Sequence, residues 1–191
     1  MTRITIIDGH PDPAGARFVH ALADAYAEGA SASHETRRIN LAELDFPLLR
    51  TSEDWRHGTP PPAIADAQGD ILWAEHLVFL YPLWLGDVPA LLKAFLEQVA
   101  RPGFAIGPAE KGFPQKLLNG RSARVIVTMG MPGLFYSLFY RGHGVKSLER
   151  NVLRFVGIAP VHHTIIGSVE KSQRHRSAWL RRVRRLGSRA A

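Results

Sequence analysis

The run His76-Leu-Val-Phe-Leu-Tyr81 limits what this chain can become more than any other stretch. A strand with one wet face alternates apolar and polar residues. One that is apolar throughout is buried on both faces, and its usual place is the centre of a parallel sheet covered by helices. The rest of the chain agrees. Ile4 to Ile7, Glu35 to Ile39, Arg124 to Met129 and Val161 to Ile166 are further short runs of strand character. Between them apolar residues recur at helical spacing: Phe18, Leu22, Ala25 and Tyr26; residues 63–74; Leu91, Leu92, Phe95, Leu96 and Val99 behind Pro89; and residues 145–155. Strand and helix alternate, no hairpin signal is evident, and crossovers of this kind are right-handed. The expected fold is α/β, a doubly wound five-stranded parallel sheet with helices on both faces, in one domain over residues 1–191. Phe46 to Pro62 and Pro102 to Asn119 read as surface loops.

The formal charge of +7 looks like a nucleic-acid signal until its location is considered. Residues 171–191 carry eight basic side chains (Lys171, Arg174, Arg176, Arg181, Arg182, Arg184, Arg185 and Arg189) and no acid, which leaves 16 basic against 17 acidic residues elsewhere. Trp179, Leu180, Val183 and Leu186 recur within this tail at helical spacing. It therefore reads as a terminal helix docked by one apolar stripe, with a solvated basic face. Contact of that face with an anionic membrane surface or partner, and electrostatic attraction of phosphate-bearing cofactors, are the other readings, and no nucleic-acid partner is expected. No stretch reaches the roughly 18 consecutive apolar residues of a membrane span. The first strand follows Met1-Thr2-Arg3 directly rather than a cleavable leader, so a cytoplasmic protein is expected.

With no cysteine, the chain has no disulfide, no thiolate metal site and no thiol nucleophile, so any redox chemistry is borrowed from a cofactor. His162 and His163 are strand neighbours pointing to opposite faces, and no metal site is expected from them. The P-loop, the Gly-x-Gly-x-x-Gly fingerprint, the serine-hydrolase elbow and the His-Glu-x-x-His helix are all absent.

Three loops follow strands and so open on one edge of the sheet: Gly9 to Arg17, Pro82 to Val88, and Gly130 to Gly144. The first ends at a helix N-terminus, where free amides and the helix dipole favour phosphate, with His10 and Arg17 as further donors. The second, Tyr81-Pro-Leu-Trp-Leu-Gly-Asp-Val88, offers apolar walls and backbone groups to a flat heteroaromatic ring.

Tyr81-Pro82-Leu83-Trp84 followed by Val88-Pro-Ala-Leu-Leu-Lys-Ala-Phe95 is similar to the flavin-binding segment of the NAD(P)H:quinone oxidoreductase (DT-diaphorase) family, which also carries a His-containing loop after its first strand. Pro102-Gly-Phe-Ala105 stands where that family has a Gly-x-Phe-Ala-like element. Thr128-Met-Gly-Met131, Tyr136-Ser-Leu138 and Gly142-His-Gly144 resemble its Thr-Thr-Gly-Gly, Tyr-Ser-Leu and His-Gly segments. The likeness covers most of residues 3–170. It implies a flavodoxin-like fold and a homodimer binding FMN or FAD, with hydride passing from NADH or NADPH to a quinone-like acceptor. It also implies Tyr136 and His143 as catalytic groups, with His10, Arg17, Phe18, Pro82, Leu83, Trp84, Leu85, Thr128, Met129, Gly130 and Met131 as cofactor contacts. In place of the family's Ser/Thr-Phe-Asn run the first loop has Ala16-Arg17-Phe18-Val19, which passes phosphate contacts to Arg17 and to backbone amides. The alternative implied by resemblance is a regulatory subunit of a potassium-efflux transporter, built on the same fold.

Overall fold

Five parallel strands form the centre of the molecule: β1 (Arg3–Asp8), β2 (Glu35–Asn40), β3 (His76–Pro82), β6 (Ser122–Thr128) and β7 (Val161–Ile166), lying side by side in the order β2-β1-β3-β6-β7. The computed structural model describes residues 1–110 and 112–191. Helices α1 (Phe18–Ala30), α2 (Ser52–His57), α3 (Pro62–Trp73), α4 (Ala90–Val99), α5 (Gly133–Leu138), α6 (His143–Ser147) and α7 (Gln173–Gly187) connect and cover them. The expected doubly wound sheet is therefore what forms. The apolar run of β3 lies between β1 and β6, with residues 76–81 all buried.

Alternate residues of the strands feed two separate cores, as the period of two requires. Ile7, Phe79, Val125 and Val127 pack with Ile64, Ile71, Leu92 and Phe95 of α3 and α4. Ile4, Ile6, Val78, Leu80 and Ile126 pack with Leu22 and Tyr26 of α1 and Val183 of α7.

Three expectations are corrected. Residues 102–119 are not an unstructured excursion but contain an antiparallel hairpin, β4 (Ile106–Glu110) with β5 (Phe113–Lys116). Pro108 and Pro114 interrupt the alternation that would have announced it, and prolines of this kind are tolerated because the pair forms a two-stranded sheet with open edges. Residues 46–62 hold α2, whose first turn is capped by the Thr51 hydroxyl accepting from the Asp54 amide at 3.1 Å. The helix read over 145–155 begins instead at His143 and continues beyond Ser147 as a π-helical turn, Leu148–Leu153.

The basic tail docks as its apolar stripe predicts. Val183 is fully buried, while Trp179, Leu180 and Leu186 pack against the same core. Arg182 stacks over Trp179 at 4.8 Å, and Arg184 pairs with Glu28 of α1. The two helices cross almost backbone to backbone. A Cβ on Gly29 would fall 1.9 Å from the Arg184 carbonyl oxygen, and one on Gly187 would fall 2.1 Å from that of Tyr26. Gly29→Ala should therefore cost about 1–3 kcal/mol by forcing the helices apart. A thermal melt that leaves the midpoint unmoved would show that the crossing yields freely. Among the described residues, no helix is long and apolar enough to cross a membrane.

Candidate functional site at the carboxyl edge of the central strands

The loops after β3 and β6 meet. Leu83 N–H donates to the Thr128 carbonyl at 2.8 Å, tying one strand end to the other. Gly144 lies so close to Gly86 that a Cβ there would be 2.2 Å from the Gly86 oxygen. Between them opens a cleft of about 740 Å³, within the usual range for a small-molecule site.

Five of the residues singled out from sequence line it: Leu83, Leu85, Met131, Tyr136 and His143. Gly86, from the turn expected to border the ring, lines it too; Phe139, Tyr140 and Arg141 complete the wall and were not foreseen. Their signal was the stretch Leu138-Phe139-Tyr140-Arg141, too apolar for a solvated loop yet lacking enough helical period to announce α5. Rings of Phe135 and Phe139 stack at 5.0 Å, and Tyr140 meets Phe139 edge-on at 5.1 Å, so the rim is one aromatic cluster.

Tyr136 is the polar feature of this apolar space. Its side chain is buried, and its hydroxyl oxygen accepts the Val145 amide at 3.3 Å. Burial raises its pKa. The phenol therefore keeps its proton, and with an oxygen lone pair already occupied, that proton is the part left to offer to a ligand. His143 also lines the cleft and is exposed.

The turn Trp84-Leu85-Gly86-Asp87 is a two-residue hairpin in which Trp84 and Asp87 exchange both backbone bonds at 3.0 Å. Leu85 and Gly86 sit at φ of 49° and 85°, the left-handed region that such a turn requires. Leu85 pays about 1 kcal/mol or more for that conformation, and its side chain is fully exposed at the cleft mouth.

The first loop borders the cleft without lining it. His10 meets Trp84 edge-on at 6.1 Å, which brings the loop after β1 beside the loop after β3. Arg17 is the N-cap of α1 but makes no side-chain cap; its guanidinium instead pairs with Asp12. The first amides of this 13-residue helix, those of residues 18–20, have no intrahelical partner and no side-chain cap, as expected for an uncapped N-terminus. Phe18 turns inward and packs against the core shared by α1 and α7. Pro82 and Thr128 end paired strands, Met129 is buried with its amide on the Ile166 carbonyl, and Gly130 is an exposed bend.

Beneath the loop lies a cluster of charges that no sequence motif announced. Asp8, fully buried at the end of β1, accepts from His20 Nδ1 at 2.6 Å, from the Arg38 guanidinium at 2.6 Å and from the His10 amide at 3.3 Å. Burial alone would lower the His20 pKa, but its bonds to the Asp8 carboxylate and the Asp12 carbonyl outweigh that and raise it. His10 is held low by burial and by the His20 charge. Hints in the sequence were Asp8 at the end of a hydrophobic strand and the Arg38 that follows Arg37 in β2, neither of which is specific.

A doubly wound sheet with its cleft outside the carboxyl ends of adjacent strands, and an uncapped helix beside it, defines an α/β protein built to hold a flat, phosphate-bearing ligand. The chain belongs to the flavodoxin-like family, whose model, described as a flavodoxin-like fold, matches residues 2–186. It is 28% identical over 193 residues to a ribosyldihydronicotinamide dehydrogenase-like protein of Penicillium crustosum, across 86% of this chain and 67% of that one. It is 24% identical to the FMN-dependent NADH:quinone oxidoreductase 3 of Bacillus cereus, across 99% of this chain and all of that one. Among solved structures, the NAD(P)H:quinone oxidoreductase of Methanothermobacter marburgensis superposes with a TM-score of 0.77 at 25% identity, over 98% of this chain and 96% of that one. None of these three carries the name of a transporter subunit.

Proposed function

We propose that this chain is an FMN-dependent oxidoreductase that takes hydride from NADH or NADPH and delivers two electrons to a quinone or similar flat acceptor. The observation that carries the reading is a single cleft with apolar walls from Leu83, Leu85 and Met131 and one buried, protonated phenol, Tyr136. When bound, the flavin supplies the hydride chemistry that a chain without cysteine lacks. Leu83 and Met131 wall the cleft against water, and the free amides at the start of α1 suit its phosphate. Tyr136 holds a hydrogen-bond donor where negative charge develops, and His143 can hand over or receive a proton there. Naming of relatives as FMN-dependent or as quinone oxidoreductases supports the cofactor and the acceptor class.

The test is direct. The purified protein should be yellow, release FMN on denaturation, and oxidise NADH or NADPH in the presence of a soluble benzoquinone. A colourless protein that neither FMN nor FAD reconstitutes would end this reading.

A second copy of the chain belongs to the same proposal. Leu134, Leu138 and Phe139 are each 70% exposed or more on the rim of the cleft, a patch that a monomer rarely leaves in water. Covering it with a partner would close the cleft. Light scattering should give a dimer, and Leu138→Glu should give monomers.

Leu85 enters here as well. Leu85→Asn relieves the left-handed strain and should stabilise the fold by about 1 kcal/mol, while raising KM for an apolar quinone. Stability gained with KM unchanged would mean that the exposed leucine does not touch the acceptor.

A further inference from the structure

Asp12 is the most heavily tethered residue of the first loop, and each tether runs in one direction. Its amide donates to His10 Nδ1 at 3.1 Å, and its carbonyl accepts from His20 Nε2 at 2.9 Å. Its carboxylate accepts from the Ala14 amide at 2.9 Å and from Arg17 Nε at 2.7 Å. His20 thus faces a carboxylate with one ring nitrogen and a carbonyl with the other. Both partners only accept, so both nitrogens must carry hydrogen and the ring is an imidazolium. His10, whose Nδ1 accepts, is neutral. The linked groups underneath, Asp8, His20, Arg38 and the Asp24 that also pairs with Arg38, balance to no net charge near a helix start that lacks a side-chain cap, so loss of the His20 proton would leave a net negative charge there.

We propose that Asp8, His20 and Arg38 are positioning residues: a charged clamp, anchored on the buried Asp8 carboxylate, that holds residues 9–17 in the shape receiving the cofactor's phosphate, replacing the hydroxyl-rich loop this chain lacks. The inference rests on the flavin reading given above. Three consecutive elements carry it, with Asp8 on β1, His20 on α1 and Arg38 on β2, so the loop is braced from both sides of its own strand. A recess of about 460 Å³ lined by Pro13, Gly15, His20 and Arg38 gives solvent and ions access to the clamp from outside.

The clamp acts on the phosphate and not on the ring system, and that separates it from a structural role. Apo-protein is titrated with FMN and with riboflavin, which differ only in the phosphate, by quenching of flavin fluorescence. The wild type should bind FMN more tightly than riboflavin. In His20→Gln the FMN dissociation constant should rise about 10-fold or more, the worth of a charged hydrogen bond, with riboflavin affinity little changed. Arg38→Lys should retain part of the preference and Arg38→Met lose it. A lower melting temperature with an unchanged FMN-to-riboflavin ratio would overturn the proposal and leave the network structural.

A second measurement needs no variant. The groups around His20 are Asp8 on β1, His10, Asp12 and Arg17 in the loop, Asp24 on α1, and Arg38 and Glu43 on and after β2. Of these, only His20 has its pKa raised above the ordinary histidine value while sitting under the loop. Its charged form therefore predominates at low pH and is lost as pH rises through that raised value. The phosphate itself is already dianionic above about pH 6. The wild-type preference for FMN should accordingly fall as pH rises through that raised value, and a flat ratio would also overturn the clamp. A wild type that binds neither flavin would instead overturn the reading of the cleft itself, and this inference with it.

Discussion

Tyr136→Phe should slow reduction of the bound flavin by NADH about 10-fold or more, the usual contribution of a positioned proton donor. The substitution is close to isosteric, and the side chain is buried among Tyr81, Leu92 and Val145, so packing is preserved. What is lost is the phenolic proton and the acceptor for the Val145 amide. The second loss costs about 1 kcal/mol of stability and can be read separately from a melt. Anaerobic stopped-flow at saturating NADH isolates the chemical step. His143→Gln should show a reduction of the same order. If both variants reduce at the wild-type rate, neither side chain handles charge in the cleft, and the site works through its apolar walls alone.

Gly144→Ala should damage the site more broadly. A methyl group there would lie 2.2 Å from the Gly86 oxygen and 3.1 Å from Asp87 Cα, so the loops after β3 and β6 must separate by about 1 Å. Displacements of that size cost about 100-fold where reacting groups must be aligned, and the overpacking itself costs about 1–3 kcal/mol. The expected outcome is poor retention of FMN together with a kcat/KM lower by about two orders of magnitude. Gly130→Ala is the matched control, since a Cβ there meets nothing within 4 Å and the residue lies on the same loop. Equal effects from the two substitutions would mean that the loop, and not its contact with Gly86, is what matters.

Most of the sheet was legible because its signals are local. The unbroken apolar run of β3 and the β-branched ends of β1, β6 and β7 each declare a strand without reference to anything distant. The hairpin of β4 and β5 was not legible, since prolines occupy both strands and break the alternation that would announce them. Of the site, the walls that come from strand ends were found: Leu83, Leu85, Met131, Tyr136 and His143. The residues missed, Phe139, Tyr140 and Arg141, lie where φ values of 52° at Arg141 and 62° at Gly142 reverse the chain between α5 and α6. No periodicity encodes such a reversal. The Asp8–His20–Arg38 cluster was hidden for another reason. Its members lie 12 and 18 positions apart in sequence and meet only because β2 pairs with β1 in register, Ile6 opposite Arg38.

The seat of α7 on α1 has a bearing on how the molecule is made. Helix α1 begins the segment that presents the free amides, yet one long side of it is covered by residues 173–187, from the far end of the chain. On a ribosome the sheet-forming residues emerge with that side of α1 bare, and contacts of such separation form last. Until the arginine-rich helix arrives, the apolar flank of Leu22 and Tyr26 remains open to chaperones and the phosphate-facing turn is unsupported from behind. Cofactor capture is thereby deferred until residues 173–187 have emerged, and a chain cut before them should hold FMN poorly even with every cleft residue present.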